Sequence, residues 1–137
     1  MNKPLRLEDN KGCYVCGKDN PHGFRLDFSH PEEGLLRTEV VFRVEHQGYR
    51  DIVHGGMVAM LLDEMMVNLA WVEDAPSVTA ELTVRLKKPV KVGEKVLFEG
   101  RIDRKEARAL YASASAKNAQ GELLATAKAT CIRIQRQ

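Results

Sequence analysis

Two glycines and an acid at a fixed spacing are the residues of this chain best suited to chemistry. The sequence His54-Gly55-Gly56 leads into an apolar segment that contains Asp63. Glycines at the start of a helix let a ligand approach the backbone, where unpaired N–H groups and the helix dipole favour negative charge. Such a donor polarises a carbonyl oxygen, and an acid on the same helix supplies a base or a nucleophile. The pattern therefore predicts a site that acts on a carbonyl group.

The segment after the glycines is predicted to form a buried helix. It extends from about Gly56 to Val72 and is apolar nearly all round, which is typical of a helix inside a protein. Asp63 and Glu64 interrupt it and point in different directions, because successive helical residues differ by about 100°. The neighbours of Asp63 on its own face are apolar, so its carboxylate needs a partner or a function. A structural acid bonded to the backbone is the alternative interpretation, and the preceding glycines favour chemistry.

Alternating apolar and polar residues predict β-strands on both sides of this helix. Short turns join the later strands, which indicates an antiparallel sheet. The predicted fold class is α+β, with a long antiparallel sheet curled around one central helix. The alternating residues are Phe24, Leu26 and Phe28; Leu36, Thr38, Val40, Phe42 and Val44; Val78, Ala80, Leu82, Val84 and Leu86; Val96, Phe98 and Ile102; Leu110, Ala112, Ala114 and Ala116; and residues 123–134.

Composition limits the class of protein. A chain of 137 residues with a formal net charge of +2 is most simply one domain, and its charge does not indicate a nucleic-acid partner. Three cysteines cannot all pair, and no leader of the secretory type is visible, so we expect a reduced, cytoplasmic setting. The longest apolar stretch, Met57 to Leu62, is too short to span a membrane.

Three stretches of this sequence resemble the hotdog-fold thioesterases, in which an antiparallel sheet wraps one long helix. The resemblance covers about residues 23–134. We therefore assign residues 23–137 to a single hotdog thioesterase domain and residues 1–22 to a leader. The stretches that carry the resemblance are His54 to Glu64, Thr79 to Val84 and Lys88 to Gly93.

The resemblance implies an acyl-CoA thioesterase, which hydrolyses a thioester to a free acid and coenzyme A. Gly55 would donate its N–H to the thioester carbonyl oxygen. Asp63 occupies the position of the family's catalytic carboxylate, which acts as nucleophile or general base. Thr79 matches a polar residue that helps to position the attacking water or the acid. His54 is interpreted mainly as a residue that fixes the loop.

Further residues are candidates for binding the substrate. Relatives place a polar side chain six residues before the histidine, and here that position is Gly48, with Gln47 beside it. Met60 is a candidate for lining an acyl pocket, although methionine is more often core filler. Lys88 and Arg108 are candidates for contacting the phosphates of coenzyme A, and solvated strand ends are the other interpretation. The predicted substrate-binding set is His54, Gly56, Gln47, Met60, Lys88 and Arg108.

The spacing of the two catalytic elements predicts an oligomer. Gly55 and Asp63 are eight residues apart, which is about 12 Å along a helix axis. Gly55 and Asp63 of one chain are therefore too far apart to contact the same thioester carbon. A two-fold dimer with antiparallel helices would bring Asp63 of one subunit to Gly55 of the other. We therefore expect a homodimer, or a homotetramer built as a dimer of dimers.

The leader contains two cysteines at a spacing found in metal sites. Cys13-Tyr14-Val15-Cys16-Gly17, with the turn sequence that includes His22, resembles the leader of a subset of the hotdog family. This spacing gives half of a zinc site, which needs four ligands, and His22 or His30 is a further candidate. We favour an ordinary reduced turn over a metal site of Cys13, Cys16 and His22, and we expect no cofactor.

Two other functions stay open on the same fold. One is a regulator that binds acyl-CoA without hydrolysing it. The other is a hotdog hydratase or dehydratase, which uses a catalytic histidine together with an acid. In each case we expect an acyl-CoA ligand, no nucleic-acid partner and no membrane span.

Overall fold

An antiparallel sheet of six strands wraps one long helix. The computed structural model describes residues 10–134. The strands pair in the order β1-β2-β4-β5-β6-β3, and each pair is antiparallel. The predicted α+β fold, a long antiparallel sheet around a central helix, is confirmed. In chain order the elements are β1 (Ser29–Glu32), β2 (Leu35–Val41), a 3₁₀ helix (Val44–His46), α1 (Gly55–Val72), β3 (Ser77–Leu86), β4 (Lys95–Lys105), β5 (Ala109–Asn118) and β6 (Leu123–Arg133).

Helix α1 is the centre of the hydrophobic core. Its residues Leu61, Leu62 and Met65 are fully buried against the sheet. At Gly100 of β4 a Cβ atom would clash with the backbone carbonyl of Met65, so the closest approach of helix and sheet requires glycine. Small residues of β5 and β6 extend this close contact. The buried alanines are Ala112, Ala114, Ala116, Ala125, Ala127 and Ala129.

Helix α1 is long and apolar enough to cross a membrane, judged by length and composition alone. The apolar stretch Met57 to Leu62, which is too short for a span, is one part of this helix. In the structure α1 contacts β2, β3, β4, β5 and β6. These are the contacts of a core helix.

The strand predicted over residues 24–28 is wrong, because β1 begins only after this segment. The backbone N–H groups of Phe24 and Leu26 donate to the carbonyl oxygens of Tyr14 and Val15, at 2.8 and 3.1 Å. The segment therefore pairs with the leader rather than with the sheet. Its apolar side chains still pack against the core, and Val15 of the leader is itself a core residue.

The predicted alternation along β2 holds as far as the strand extends. Leu36, Thr38 and Val40 are buried, as is Phe42 directly after the strand. Val44 departs from the pattern and is 61% exposed, because the chain has turned into the 3₁₀ helix.

A β-bulge in β3 changes which residues face the helix. The register of β3 against β6 shifts between Thr79 and Glu81. A bulge shifts the alternation of side chains by one residue. Val78 was grouped with Val84 by its sequence spacing, yet Val78 is 39% exposed whereas Val84 packs against the core. Because of the bulge, Thr79 faces α1, and the apolar residues later in the same strand face α1 as well.

Candidate active site

Helix α1 begins at Gly55, and His54 is its N-cap. The His54 Nδ1 accepts a hydrogen bond from the backbone N–H of Gly56 at 2.9 Å. The ring thus satisfies one of the free donors at the helix start. Because Nδ1 is an acceptor, the hydrogen of the neutral ring is on Nε2. This contact supports the interpretation of His54 as a residue that fixes the loop.

The N–H of Gly55 remains available to a ligand. None of the hydrogen bonds formed within residues 10–134 has this group as its donor. Gly55 lines a cavity of about 590 Å³. A Cβ atom on Gly55 would lie 2.6 Å from Cδ1 of Leu86, so glycine keeps space open between the helix start and the end of β3. A carbonyl oxygen in the cavity can therefore reach a free donor at the positive end of a helix.

The cavity has apolar walls and a positively charged segment. It lies between the loop before α1 and residues 86–90, which comprise the end of β3 and the segment after it. Ile52, Val58 and Leu86 supply apolar surface, whereas Lys87 and Lys88 supply positive charge. Such a lining suits a ligand with an apolar part and an anionic part.

Asp63 is paired with a side chain of the sheet. The Thr79 Oγ1 donates a hydrogen bond to Asp63 Oδ1 at 2.6 Å, and both side chains are half-buried. Cys131 pairs with Thr79 across β3 and β6, and its thiol interacts with the Thr79 hydroxyl. Burial raises the pKa of the Cys131 thiol; the Asp63 carboxylate raises it further, and Thr79 opposes them. Asp63, on the apolar face of α1, thus has a side-chain partner. Cys131 beside it was not identified from the sequence.

The structure places the predicted catalytic residues in two groups. Gly55 lies at the cavity with His54, whereas Asp63 and Thr79 lie together about two helical turns further along α1. Asp63 does not line the cavity at Gly55 of its own chain. The separation expected from the sequence is therefore present in the folded chain.

Three predicted substrate-binding residues lie near the start of α1. Lys88 lines the cavity, and its ammonium group forms an ion pair with Glu122. Gly56 uses its N–H in the bond to the His54 ring. Gln47 does not line the cavity, because its Oε1 accepts a hydrogen bond from the Asp51 N–H at 3.1 Å and closes the loop.

Met60 and Arg108 lie elsewhere. Met60 is half-buried on α1 and packs against the core. Arg108 is exposed between β4 and β5, and its carbonyl oxygen accepts a hydrogen bond from the Arg133 N–H at the far end of β6. Because β6 pairs with β3 in antiparallel register, Arg108 lies near the start of β3, whereas the cavity lies near its end.

Several cavity residues escaped the sequence reasoning, and Tyr49 and Leu86 are two of them. Tyr49 is 86% exposed and lies in the loop before α1. An exposed aromatic residue directly after Gly48 was the available signal. Leu86 was assigned only to the alternating pattern of β3, and that pattern does not show that the strand ends beside Gly55.

The leader cysteines lie against the middle of α1. The sulfur atoms of Cys13 and Cys16 and a carboxylate oxygen of Glu64 lie within 4.8 Å of one another. His22 is not part of this group, and His30 instead pairs with Glu73 through its Nε2 at 2.8 Å. Burial raises the pKa of Cys16 and that of Glu64, and the proximity of the two groups raises the pKa of Cys16 further. Glu64 therefore contacts the leader on a different face of α1 from Asp63.

Comparison with known families agrees with the fold. The sequence model of the thioesterase superfamily matches residues 51–125, which include the start of α1, Asp63 and Thr79. The match covers more than half of the chain, and the protein belongs to the thioesterase superfamily. No curated protein sequence gives a significant match.

Solved structures, several of them of thioesterase superfamily proteins, share the fold. The smu.793 protein of Streptococcus mutans, solved with acetyl-CoA, is 19% identical, with a TM-score of 0.77 over 82% of this chain and 90% of that one. A hypothetical thioesterase of Streptococcus pneumoniae, solved with coenzyme A, is 14% identical, with a TM-score of 0.77 over 82% and 88%. Zebrafish thioesterase superfamily member 2 is 21% identical, with a TM-score of 0.76 over 94% and 99%. At these identities the likeness establishes the hotdog fold.

The Streptococcus pneumoniae protein has also been solved in two variant forms. One carries alanine in place of an aspartate, and the other carries alanine in place of a threonine sixteen residues further along that chain.

Proposed function

We propose that this protein is an acyl-CoA thioesterase that works as a homodimer, or as a dimer of dimers, with active sites shared between subunits. The observation that carries the proposal is the free Gly55 N–H at the cavity, together with the Asp63–Thr79 pair on the same helix. Membership of the thioesterase superfamily supports thioester hydrolysis. The coenzyme A ligands of two structures with this fold support the substrate class.

Gly55 would stabilise the oxyanion. Its N–H is at the positive end of α1, where a developing negative charge is favoured. The neighbouring Gly56 N–H is occupied by the His54 ring, so Gly55 is the donor that remains. One well-placed donor contributes about 3–4 kcal/mol to such a transition state.

Asp63 would act on the thioester carbonyl carbon, directly or through water. In the water route, the oxygen of water bonds to the carbonyl carbon while Asp63 accepts its proton. The C–S bond then breaks, and the proton passes to the departing sulfur to give the free thiol of coenzyme A. Thr79 occupies one oxygen of the carboxylate and leaves the other for this work. The same sixteen-residue spacing separates the aspartate and the threonine altered in the Streptococcus pneumoniae protein.

The edge of the sheet supports the dimer. Strand β3 is at the edge, and its Val78, Leu82 and Leu86 are 39%, 37% and 57% exposed. An apolar edge strand is prone to pairing with another chain. Two-fold pairing of β3 edges makes the helices antiparallel, which carries Asp63 of one subunit toward Gly55 of the other. It also carries Arg108 of one subunit toward Lys88 of the other.

The test is incubation with a panel of acyl-CoAs and measurement of released thiol. We expect hydrolysis by the wild type and a loss of about 10²–10⁴-fold in Asp63→Asn, which keeps the shape and removes the base. The matched control is Asp103→Asn, on the exposed face of β4, which should keep full activity. Binding of acyl-CoA without thiol release would instead identify a regulator, and hydration of an enoyl-CoA would identify a hydratase.

A single-turnover reaction in ¹⁸O-labelled water distinguishes Asp63 as a nucleophile from Asp63 as a general base. A covalent anhydride that is opened at the enzyme carbonyl leaves the label in the Asp63 carboxylate. Direct attack by water places the label in the acid product alone.

A further inference from the structure

A cluster of three side chains, Cys13, Cys16 and Glu64, takes no part in the proposed thioesterase chemistry. Their sulfur and carboxylate oxygen atoms lie within 4.8 Å of one another, and all three residues are half-buried. The cluster joins the leader to the middle of α1, at the residue next to Asp63. It therefore connects two parts of the chain that lie far apart in the sequence.

The backbone around the two cysteines is shaped to present their sulfur atoms together. The Cys16 N–H donates to Cys13 Sγ at 3.5 Å, and the Gly17 N–H donates to the Cys13 carbonyl oxygen at 2.9 Å. A Cβ atom on Gly17 would clash with the backbone of Cys13, so this turn requires glycine. The Asn10 amide also points a donor at Cys16 Sγ, at 3.7 Å. N–H groups directed at sulfur stabilise a ligating thiolate.

No cationic side chain of the described residues would balance the charge that the cluster acquires on binding a metal. Within residues 10–134 no lysine or arginine forms an ion pair with Glu64. Two thiols and a carboxyl group become anionic when they bind a metal, and a divalent cation neutralises them. Glu64 also lies near the like-charged carboxylate of Asp63. A cation bound to Glu64 would weaken the repulsion between the two carboxylates.

We propose that Cys13, Cys16 and Glu64 bind a zinc-class divalent metal ion that fastens the leader to α1. Two thiolates with one carboxylate favour Zn²⁺ over the hard cations Mg²⁺ and Ca²⁺, which prefer oxygen ligands alone. Bonds of about 2.3 Å to sulfur and about 2.1 Å to oxygen place tetrahedral ligand atoms about 3.5–3.8 Å apart. Small side-chain rotations close the observed cluster to that spacing. Water takes the fourth position.

The first test is the metal content of the full chain, purified without a metal-binding tag. The reduced protein is equilibrated with Zn²⁺, dialysed against metal-free buffer and analysed by mass spectrometry of the metal. We expect about one zinc ion per chain in the wild type, none in Cys13→Ser/Cys16→Ser, and at least tenfold weaker binding in Glu64→Gln. Two controls, Cys131→Ala and Glu94→Gln, each remove one thiol or one carboxylate outside the cluster and should bind zinc as the wild type does.

Titration of the reduced wild-type protein with Co²⁺ tests the proposal in a way that does not depend on whether the variants fold. Thiolate ligands give intense charge-transfer bands, which the double cysteine variant should lack. Zn²⁺ should displace the cobalt and abolish these bands. Reduced wild type that binds neither metal would overturn the proposal. Zinc binding by Glu64→Gln equal to that of the wild type would remove Glu64 from the site and contradict it as well. Neither outcome bears on thioester hydrolysis, so the two proposals fail separately.

Discussion

The hydroxyl of Thr79 donates a hydrogen bond to the Asp63 carboxylate at 2.6 Å, across the gap between β3 and α1. The β-bulge directly after Thr79 permits this contact in a strand whose later apolar residues also face the helix. The bond fixes the orientation of a carboxylate that is otherwise free to rotate on an apolar helix face. Under the proposed function, Thr79 would be a positioning residue for Asp63.

Two substitutions at Thr79 separate the effect of its hydroxyl group from the effect of its size. Thr79→Val keeps the volume and removes the donor, so we expect kcat to fall about 10–100-fold, the equivalent of a hydrogen bond to a charged group. Thr79→Ser keeps the donor and should retain most of the activity. KM should change little in either variant, because Thr79 acts through Asp63. Steady-state kinetics with one acyl-CoA measures the effects on kcat and KM separately. A Thr79→Val enzyme with unchanged kcat would contradict the assigned role.

A buried histidine makes stability depend on pH. His46 is 1% exposed; its Nδ1 accepts a hydrogen bond from the Arg43 N–H at 2.9 Å, and its Nε2 has no partner within the described residues. Burial, with the nearby Arg43 cation, lowers the pKa of His46 below its ordinary value of 6.5. The unfolded chain therefore takes up the proton first. The contribution of His46 to stability is complete above pH 6.5 and is lost as the pH falls below that value.

The variant His46→Asn retains an acceptor for the Arg43 N–H and removes the titration. Its free energy of unfolding should fall less steeply than that of the wild type between pH 6.5 and 5, by at most about 1.4 kcal/mol per pH unit. Urea denaturation across this range measures the two slopes. His22→Asn, an exposed control, should follow the wild type. Parallel curves for wild type and His46→Asn would show that His46 does not titrate differently in the two states.

The carboxylate of Glu73 fastens the end of α1 to the sheet. Its side chain is 6% exposed and contacts His30 Nε2 at 2.8 Å, Lys105 Nζ at 3.4 Å and the Gly34 N–H. Burial acts to raise the pKa of Glu73, but the Gly34 N–H and the two side chains outweigh it and hold the pKa below its ordinary value. This stabilisation is present above the ordinary pKa of 4.5 and is lost as the pH falls.

Substitution of Glu73 tests that contact. Glu73→Gln should lower the free energy of unfolding by about 1–3 kcal/mol at neutral pH, because the Gly34 N–H and the Lys105 ammonium lose a charged acceptor. The difference from wild type should begin to shrink below pH 4.5, where the carboxyl of the unfolded wild-type chain is protonated first and that of the folded protein only at lower pH. Denaturant titrations at pH 7 and pH 4 measure both values, with exposed Glu94→Gln as the control. An equal difference at the two pH values would show that the charge of Glu73 is not what stabilises the helix end.

The helix and most of the sheet follow from local patterns, and the helix was predicted to within one residue at its start. The family resemblance indicated Asp63 and Thr79, and the structure shows their hydrogen bond. Alternation alone cannot show the bulge after Thr79, because a bulge reverses the facing of residues without changing their types. This is why Val78 was grouped with the inward face.

Contacts between segments distant in the sequence were the least predictable part. Alternation at Phe24 and Leu26 wrongly predicted a strand, because the backbone of these residues hydrogen-bonds to the leader rather than to the sheet. The position of Glu64 on α1 shows only which face it occupies. That Cys13 and Cys16 cover this face depends on how the leader folds back, which no local pattern records.

The shared active site is tested most directly by mixing two inactive subunits. Gly55→Pro removes the N–H at the first helical position, where proline is otherwise well tolerated. Its control, Gly55→Ala, makes the same contact with Leu86 but keeps the N–H, and should be far more active. Gly55→Pro and Asp63→Asn should each be nearly inactive alone.

After the two variants have exchanged subunits, thiol release from acyl-CoA should reappear, because each mixed dimer holds one intact site with wild-type Gly55 and Asp63. Exchange is verified by distinguishable tags on the two variants and recovery of the mixed dimer. The account predicts that this mixed dimer regains up to about half of the wild-type activity, since one of its two sites is intact. A mixed dimer as inactive as its parents, or an active wild-type monomer at the assay concentration, would contradict it.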